Sequence, residues 1–259
     1  MQYFVYHFQV FLLIMIRLNA MIVIAPFFSS DVIPFRMKAL LCFFTTLVIF
    51  PIVAAQGYTL PGSMAEYTIL VLREVVIGLY IGFLVAVLFS AFQLAGQLFA
   101  VQIGFGISEV LDPIGQVSIP LVGQLTNLIG ILVFLAINGH HMLIRAIYRS
   151  YELAPVVTLD INTTGSLFRY LMNIFSGMFV VALKIALPVV VTAFLITISL
   201  GILAKVAPQM NIMMLGFPFQ IAISFGVLIL VTPLIVRVMQ VALERTFTFV
   251  TGVLLHWPT

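Results

Sequence analysis

The stretch 102–120 (QIGFGISEVLDPIGQVSIP) is the longest interruption in a chain that is otherwise almost continuously apolar. Its three glycines and two prolines disfavour a regular helix. Apolar side chains alternate with two acidic ones, which is unusual for a loop exposed to water. Irregular backbone survives at membrane depth only where it is buried in protein or lines an aqueous path. We therefore expect a re-entrant, pore-associated loop, with the rest of the chain as its scaffold.

Composition places the chain among integral membrane proteins. Hydrophobic residues make up 63% of its 259 positions and charged residues only 7%, whereas about a quarter of the residues in soluble domains are charged. The net charge of +3 is too small and too scattered to indicate nucleic-acid binding. Cys42 is the only cysteine, which excludes an intramolecular disulfide and any multi-cysteine metal site.

Six apolar runs predict six membrane helices, at about 20 residues per crossing. The runs lie at roughly 8–28, 39–55, 69–101, 121–137, 171–204 and 212–236. The segment 66–101 would form a helix of roughly 50 Å, well beyond a hydrocarbon core of about 30 Å. Five charged residues lie in or against these runs, at a cost of roughly 2.5–3.5 kcal/mol each if central and unpaired. They are Arg17, the adjacent pair Arg73-Glu74, Lys184 and Arg237. Either the helices are tilted with paired charges, or they are bent hairpins packed against other protein subunits.

Small and polar residues share one face of the predicted helix that precedes the loop. The small residues recur every four positions, which lets another helix approach closely. An acid and two amides on the same face can form hydrogen bonds between helices. We therefore predict a helix–helix or subunit interface rather than a lipid contact. Its residues on this helix are Glu74, Gly78, Gly82, Ala86, Gln93 and Gln97.

A second polar stripe follows the apolar run 171–204 and adds Lys184 and Pro188 to the predicted interface. Pro188 cannot donate to the carbonyl of Lys184, so we expect a kink and a free acceptor there. Either a carboxylate or backbone carbonyls should neutralise Lys184. A polar turn then separates two apolar runs, which is typical of a helical hairpin. The predicted turn residues are Lys205, Pro208, Gln209, Asn211, Gly216 and Pro218.

The sequence Asn138-Gly139-His140-His141 carries a helix-stop signal at the end of the fourth apolar run. Adjacent histidines on a helix point about 100° apart, and the sequence places no third ligand nearby. We therefore interpret this segment as structural and predict no metal site.

Four segments of the chain resemble the R-type export-gate family of type III secretion, which comprises FliR of flagella and SctT of injectisomes. The match runs in order across roughly 10–240, and its NGHH form is similar to the flagellar branch; an injectisome homologue is the alternative. The segments are REVVIGLYIGF (73–83), AFQLAGQLFAVQIGFG (91–106), FLAINGHH (134–141) and ALP…LGILAKVAPQMNIMMLGFP (186–218).

The resemblance implies an all-α integral membrane protein of bent helical hairpins with a re-entrant plug loop, similar to a fusion of P-type and Q-type gate subunits. It implies one membrane domain over 1–259. Within it, 1–165 is the P-like part, which includes the plug loop 102–120, and 166–259 is the Q-like hairpin.

The resemblance also implies a non-enzymatic gating subunit, without cofactor, metal or catalytic residues, in the bacterial inner membrane at the flagellar basal body. Its expected partners are P-type and Q-type subunits, an FlhB-type switch protein, membrane lipid and the unfolded flagellar proteins that pass through the pore, and no nucleic acid.

The plug of that family, the loop that closes the pore, maps onto about 104–116. Apolar side chains there would exclude water, and the glycines would act as hinges. The two acids would either latch the loop to neighbouring subunits or keep one side of it wetted. The predicted plug residues are Gly104, Phe105, Gly106, Ile107, Glu109, Val110, Leu111, Asp112 and Pro113.

A secondary transporter is the main competing interpretation. Interrupted helices with intramembrane Lys184 and Glu74 are what carriers use at midplane sites, but the sequence shows neither matched halves nor a positive-inside pattern. An intramembrane hydrolase is disfavoured further, because the chain lacks GxSxG, HExxH and a plausible pair of intramembrane aspartates.

Overall fold

The computed structural model describes residues 2–30, 32–55, 57, 60–103, 121–153, 161–207, 209 and 212–255. Every regular element in these ranges is a helix. In chain order they are α1 Gln2–Ile24, α2 Pro26–Ser29, α3 Phe35–Ala55, α4 Met64–Ile103, α5 Leu121–Ala136, α6 Gly139–Leu153, α7 Ile161–Val206 and α8 Ile212–Leu255.

Five of these helices, α1, α3, α4, α7 and α8, are long and apolar enough to cross a membrane. The broken pair formed by α5 and α6 would add a sixth if it counts as one span. The predicted class, an all-α integral membrane protein, is confirmed. α4 is one continuous helix of 40 residues, which is roughly 60 Å at 1.5 Å per residue.

The predicted helix stop after α5 is confirmed, and the residue that makes it is Asn138. Its φ is 59°, the left-handed region, and no other non-glycine residue in the described ranges has a positive φ. Asn tolerates this conformation at a helix end better than most residues do. The carbonyl of Asn138 then accepts hydrogen bonds from the amides of His141 and Met142, at 3.0 and 3.2 Å, and α6 begins.

Contacts divide the chain into two compact units, each built from separate segments. The first comprises Met1–Val87, Asn138–Ile174 and Glu244–Thr259, and the second comprises Leu88–Ile137 and Phe175–Leu243. Both units contain segments from each side of residue 165. The division into P-like and Q-like parts of one membrane domain concerns resemblance to other subunits and stays a prediction.

In the first unit, α1 packs against α3 through an aromatic cluster. Phe11 meets Phe43 and Phe50 edge to face, with ring centroids 5.6 and 5.9 Å apart. His7 contacts Phe50 in the same way at 5.8 Å. Aromatic pairs prefer this geometry and gain about 0.5–1.5 kcal/mol beyond the area they bury, so the cluster fixes α3 against α1.

In the second unit, α4 and α5 pack around three buried phenylalanines. The ring centroid of Phe89 lies 5.5 Å from that of Phe92 and 5.8 Å from that of Phe134. Gly130 of α5 lies directly against the Phe92 ring, where a methyl group would come within 2.5 Å of a ring carbon. The absence of a side chain at Gly130 therefore makes room for the ring.

Candidate functional site

Arg17 on α1 and Glu74 on α4 form a buried ion pair in the first unit. The Nε and Nη2 atoms of Arg17 donate to the two carboxylate oxygens of Glu74, at 2.5 and 2.9 Å. The exposed fraction is 0% for the Arg17 side chain and 1% for that of Glu74. This two-pronged geometry is the strongest form of an arginine–carboxylate contact. It explains how two charges persist in apolar runs, and the pairing of Glu74 with Arg17 was not predicted from the sequence.

Two residues of α6 complete the surroundings of Arg17. Its Nη1 atom donates to Ser150 Oγ at 2.7 Å, and the Ser150 hydroxyl donates to the carbonyl of Ile147 at 2.6 Å. The guanidinium carbon lies 3.8 Å from the centre of the Tyr151 ring, a cation–π contact. One arginine therefore joins α1, α4 and α6, and we call Arg17, Glu74, Ser150 and Tyr151 the arginine cluster.

The small residues of α4 next to this cluster lie against α1. A methyl group on Gly78 would collide with the carbonyl oxygen of Arg17 and lie 2.9 Å from the Ala20 side chain. One turn later, a methyl group on Gly82 would lie 2.9 Å from the carbonyl oxygen of Met21. The close helix approach expected of these glycines is made within the chain, and it brings Arg17 within reach of Glu74. Ala86 is half-buried.

Farther along α4, the polar face continues in the second unit. A methyl group on Gly96 would lie 2.5 Å from the Cα atom of Gly123, so α4 and α5 approach closely there. Gln93 and Gln97 are half-buried. Gln97 faces a groove between α4 and α7, and neither glutamine belongs to the arginine cluster. The predicted interface residues are therefore divided between two places.

The last turn of α4 is held by α8. Gln220 Nε2 donates to the backbone carbonyl of Gln102 at 2.7 Å. Carbonyls in the last turn of a helix lack a partner within the helix, and Gln220 supplies one. One turn along α8, Ser224 is buried and its hydroxyl has no hydrogen-bond partner in the described ranges. Gln220 was not predicted as a site residue; a lone glutamine in the apolar run 212–236 was its only sequence signal.

The nine predicted plug residues, between 104 and 113, lie outside the described residues. The described chain ends at Ile103 on one side and resumes at Leu121 on the other. The Gln220–Gln102 contact therefore fixes the helix end that enters the plug segment, and the plug itself stays a prediction.

Lys184 and Pro188 lie in the middle of α7. The Lys184 side chain is exposed, and no described residue forms an ion pair or hydrogen bond with it. The carbonyl of Pro188 accepts a hydrogen bond from the Thr192 hydroxyl at 2.8 Å. The expected neutralising group is thus not supplied by the described part of the chain.

The predicted hairpin turn lies between α7 and α8. Lys205 is in the last turn of α7, and both Lys205 and Gln209 are exposed. Pro208 and Asn211 lie outside the described residues. Gly216 and Pro218 lie within α8, which begins at Ile212, rather than in the turn. Gly216 packs on α7, where a methyl group would come 3.0 Å from the Leu200 side chain.

Potential metal ligands are dispersed in the described ranges. No group of three or more His, Cys, Asp or Glu side chains comes together there. The rings of His140 and His141 lie side by side, with centroids 4.2 Å apart.

Comparison with known proteins gives one consistent result. The model of the family described as bacterial export proteins, family 1, matches residues 8–246. The chain is 33% identical over 226 residues to the flagellar biosynthetic protein FliR of Bacillus subtilis, covering 86% of this chain and 85% of that one. It is 25% identical to FliR of Escherichia coli, covering 94% and 92%, and 28% identical to FliR of Aquifex aeolicus, covering 83% and 82%.

Proposed function

The chain belongs to family 1 of the bacterial export proteins, and from this premise we propose that it is the R-type subunit of a flagellar export gate. In this role it forms, with other membrane subunits, the pore through which unfolded flagellar proteins cross the bacterial inner membrane. Its relatives are named flagellar biosynthetic proteins, and they align over more than four-fifths of their length. The function is structural and gating, without a catalytic step.

The main support for this proposal is that the apolar parts of α7 and α8 are much longer than one membrane crossing and are poorly covered by the rest of the chain. The apolar part of α7, Tyr170–Val206, has 37 residues, and that of α8, Pro218–Val253, has 36. Each is roughly 54–55 Å long, so fitting it into a core of about 30 Å would need a tilt of roughly 55–60°. Membrane helices tilt by about 20° on average and up to about 40°.

These two helices are also poorly covered by the rest of the chain. Only 28% of the most apolar part of α7 and 17% of that of α8 are buried, against 61% for α4. Lipid can cover only the part of each helix that lies within the bilayer. Other protein subunits must cover the remainder, which favours bent hairpins in an assembly over a bundle of tilted helices standing alone in lipid.

The chemistry of the proposed partners follows from that surface. We infer P-type and Q-type gate subunits as neighbours, with an FlhB-type switch protein at the same assembly, in the flagellar basal body. Large apolar side chains on α7 and α8, among them Phe179, Phe194 and Phe219, are more than half exposed. Such surfaces suit permanent helix packing, as expected of a subunit that is stable only within its complex.

The plug segment between α4 and α5 supplies the gating part of the proposal. Apolar residues from Phe105 to Ile114 would exclude water and ions from the idle pore. The Gln220 amide holds the carbonyl of Gln102, so the segment starts from a fixed point. A loop with one fixed end and several glycines can move aside without unfolding the helices around it.

Many carriers use an intramembrane carboxylate that can bind and release a proton or a substrate. Glu74 is instead held by both prongs of Arg17 and is 1% exposed. A carboxylate that is buried and paired with an arginine is poorly suited to bind and release a substrate. Glu74 therefore no longer supports the carrier interpretation.

Co-expression tests the proposed function. The chain is produced with the small membrane proteins encoded in its operon, and an affinity tag on this chain is used to purify it from detergent. We expect one stable complex that contains P-type and Q-type subunits, and an aggregated or degraded product when the chain is expressed alone. A monodisperse chain that takes up a substrate without partners would contradict the proposal.

A further inference from the structure

α7 presents a lysine in the middle of an apolar, partly covered surface. Lys184 lies inside the apolar stretch Tyr170–Val206 and is exposed. The neighbouring Leu183 and Leu187 are each 51% exposed. At Gly177, almost two turns earlier, a methyl group would meet no atom within 4 Å. The described part of the chain therefore covers this side of α7 only partly.

A groove of about 350 Å³ lies between the C-terminal part of α4 and the middle of α7. Leu94 and Leu98 line it from α4, and Leu183 and Leu187 line it from α7. The amide of Gln97 is a polar group in its wall. All of these residues belong to the second unit. Gln102 also lines the groove, and Lys184 adjoins the lining residues Leu183 and Leu187 on α7 without lining it. The groove therefore has apolar walls with two glutamines, and a cation follows on the neighbouring face of α7.

Lipid acyl chains could fill such a groove, but they offer nothing to an ammonium group. A charge in hydrocarbon is unfavourable unless it pairs, reaches the interface or faces water. A helix that lies between two others places its side-chain ridges in the groove between them. An apolar helix that carries one carboxylate would fill the apolar groove and also pair with the ammonium group of Lys184.

We propose that this groove receives an apolar helix from a neighbouring gate subunit, and that the helix places an Asp or Glu carboxylate against Lys184. This inference rests on the proposed function and names the chemistry of one subunit contact. The Gln97 amide can donate to the same carboxylate or to a backbone carbonyl of the bound helix. In low-dielectric surroundings such hydrogen bonds specify which helix binds and in which register.

The test is a charge reversal within the whole complex. Lys184→Glu would place two acids together, so the yield of purified complex should fall on the order of tenfold or more. Each intramembrane Asp or Glu of the partner subunits is then changed to Lys in the Lys184→Glu background. One of these reversals should restore the yield. Lys205→Glu is the matched control, because Lys205 is exposed in the last turn of α7, about four turns beyond the last groove residue, Val190. Its yield should stay at the wild-type level.

A second measurement does not depend on assembly being lost. A photo-crosslinking amino acid, p-benzoylphenylalanine, replaces Leu187 in the otherwise wild-type complex. We expect a cross-link to one apolar helix of a P-type or Q-type subunit, mapped by mass spectrometry to within about two turns of an Asp or Glu. Cross-linking to lipid alone would overturn the inference.

The inference is also overturned if Lys184→Glu assembles as well as Lys205→Glu, or if no partner reversal restores the yield. These outcomes, with a wild-type complex that assembles normally, leave the proposed function intact. If the wild-type chain enters no complex, the proposed function fails, and this inference fails with it.

Discussion

Arg17 and Glu74 are separated by 57 positions in the sequence, yet the guanidinium of one lies 2.5 Å from the carboxylate of the other in the interior of the first unit. A buried ion pair is not by itself strongly stabilising, because both charges must be desolvated. Its importance appears when one partner is removed, because the other charge is then left buried without compensation. Ser150 and Tyr151 add a hydrogen bond and a ring contact to the same guanidinium, so Arg17 aligns three helices at once.

Removing one charge of this pair should be far more harmful than removing both. Arg17→Met or Glu74→Leu leaves an uncompensated buried charge, which costs about 3–5 kcal/mol. The double substitution should recover a large part of that loss. Thermal unfolding of the purified complex, arranged as a double-mutant cycle, measures the difference. Additive single effects would show that the two residues do not act as a pair.

Arg36, exposed at the start of α3, is the matched control for this cycle. Arg36→Met removes a charge from a helix end without breaking a described ion pair. We expect a change of less than about 1 kcal/mol, as is usual for an exposed charge. A loss as large as that of Arg17→Met would mean that charge itself, rather than the buried pair, sets stability.

Gly78 should not tolerate even one methyl group. Gly78→Ala drives Cβ into the backbone carbonyl of Arg17, and backbone cannot move aside as a flexible side chain can. We expect α1 to separate from α4 and the yield of folded protein to fall severalfold. Gly62→Ala is the control, because Gly62 precedes α4 and its methyl group would meet no atom within 4 Å. That change should be neutral or slightly stabilising, since alanine lowers the conformational entropy of the unfolded chain.

Gln220 should govern the order of the last turn of α4. Gln220→Leu leaves the carbonyl of Gln102 without its partner, at a cost of about 1–3 kcal/mol. Hydrogen exchange of amides near Gln102 should accelerate, while exchange in α1 stays unchanged. Ser224→Ala, one turn away, removes a buried hydroxyl that has no described partner, so it should be neutral or stabilising. Equal effects of the two substitutions would contradict the capping role.

The all-α membrane class and the helix stop at Asn138 could be predicted from the sequence, because both depend on local composition and backbone preference. It did not identify the partner of Glu74, because pairing across 57 positions depends on how α1 crosses α4. The periodicity of Gly78 and Gly82 predicted a close helix contact, but periodicity cannot say which helix makes it. Gln220 was missed for the same reason, since nothing local distinguishes a capping glutamine from one facing a partner subunit.

The proposed gating function depends on the plug segment between α4 and α5. A pore wide enough for an unfolded chain must be closed when idle, because the membrane holds a proton gradient. Deletion of 105–112 should leave the helices intact, since α4 ends at Ile103 and α5 begins at Leu121. Cells with the assembled variant should leak ions and grow poorly, whereas an assembly-defective double variant should grow normally.

The most direct measurement is the ion and dye permeability of proteoliposomes that contain the whole purified complex, with the wild-type chain or the 105–112 deletion. We expect tight vesicles with the wild-type chain and a marked leak with the deletion, at equal amounts of assembled complex. Vesicles that stay tight with the loop deleted and the complex intact would contradict it, because closure would then reside in the partner subunits and this segment would be only a connector.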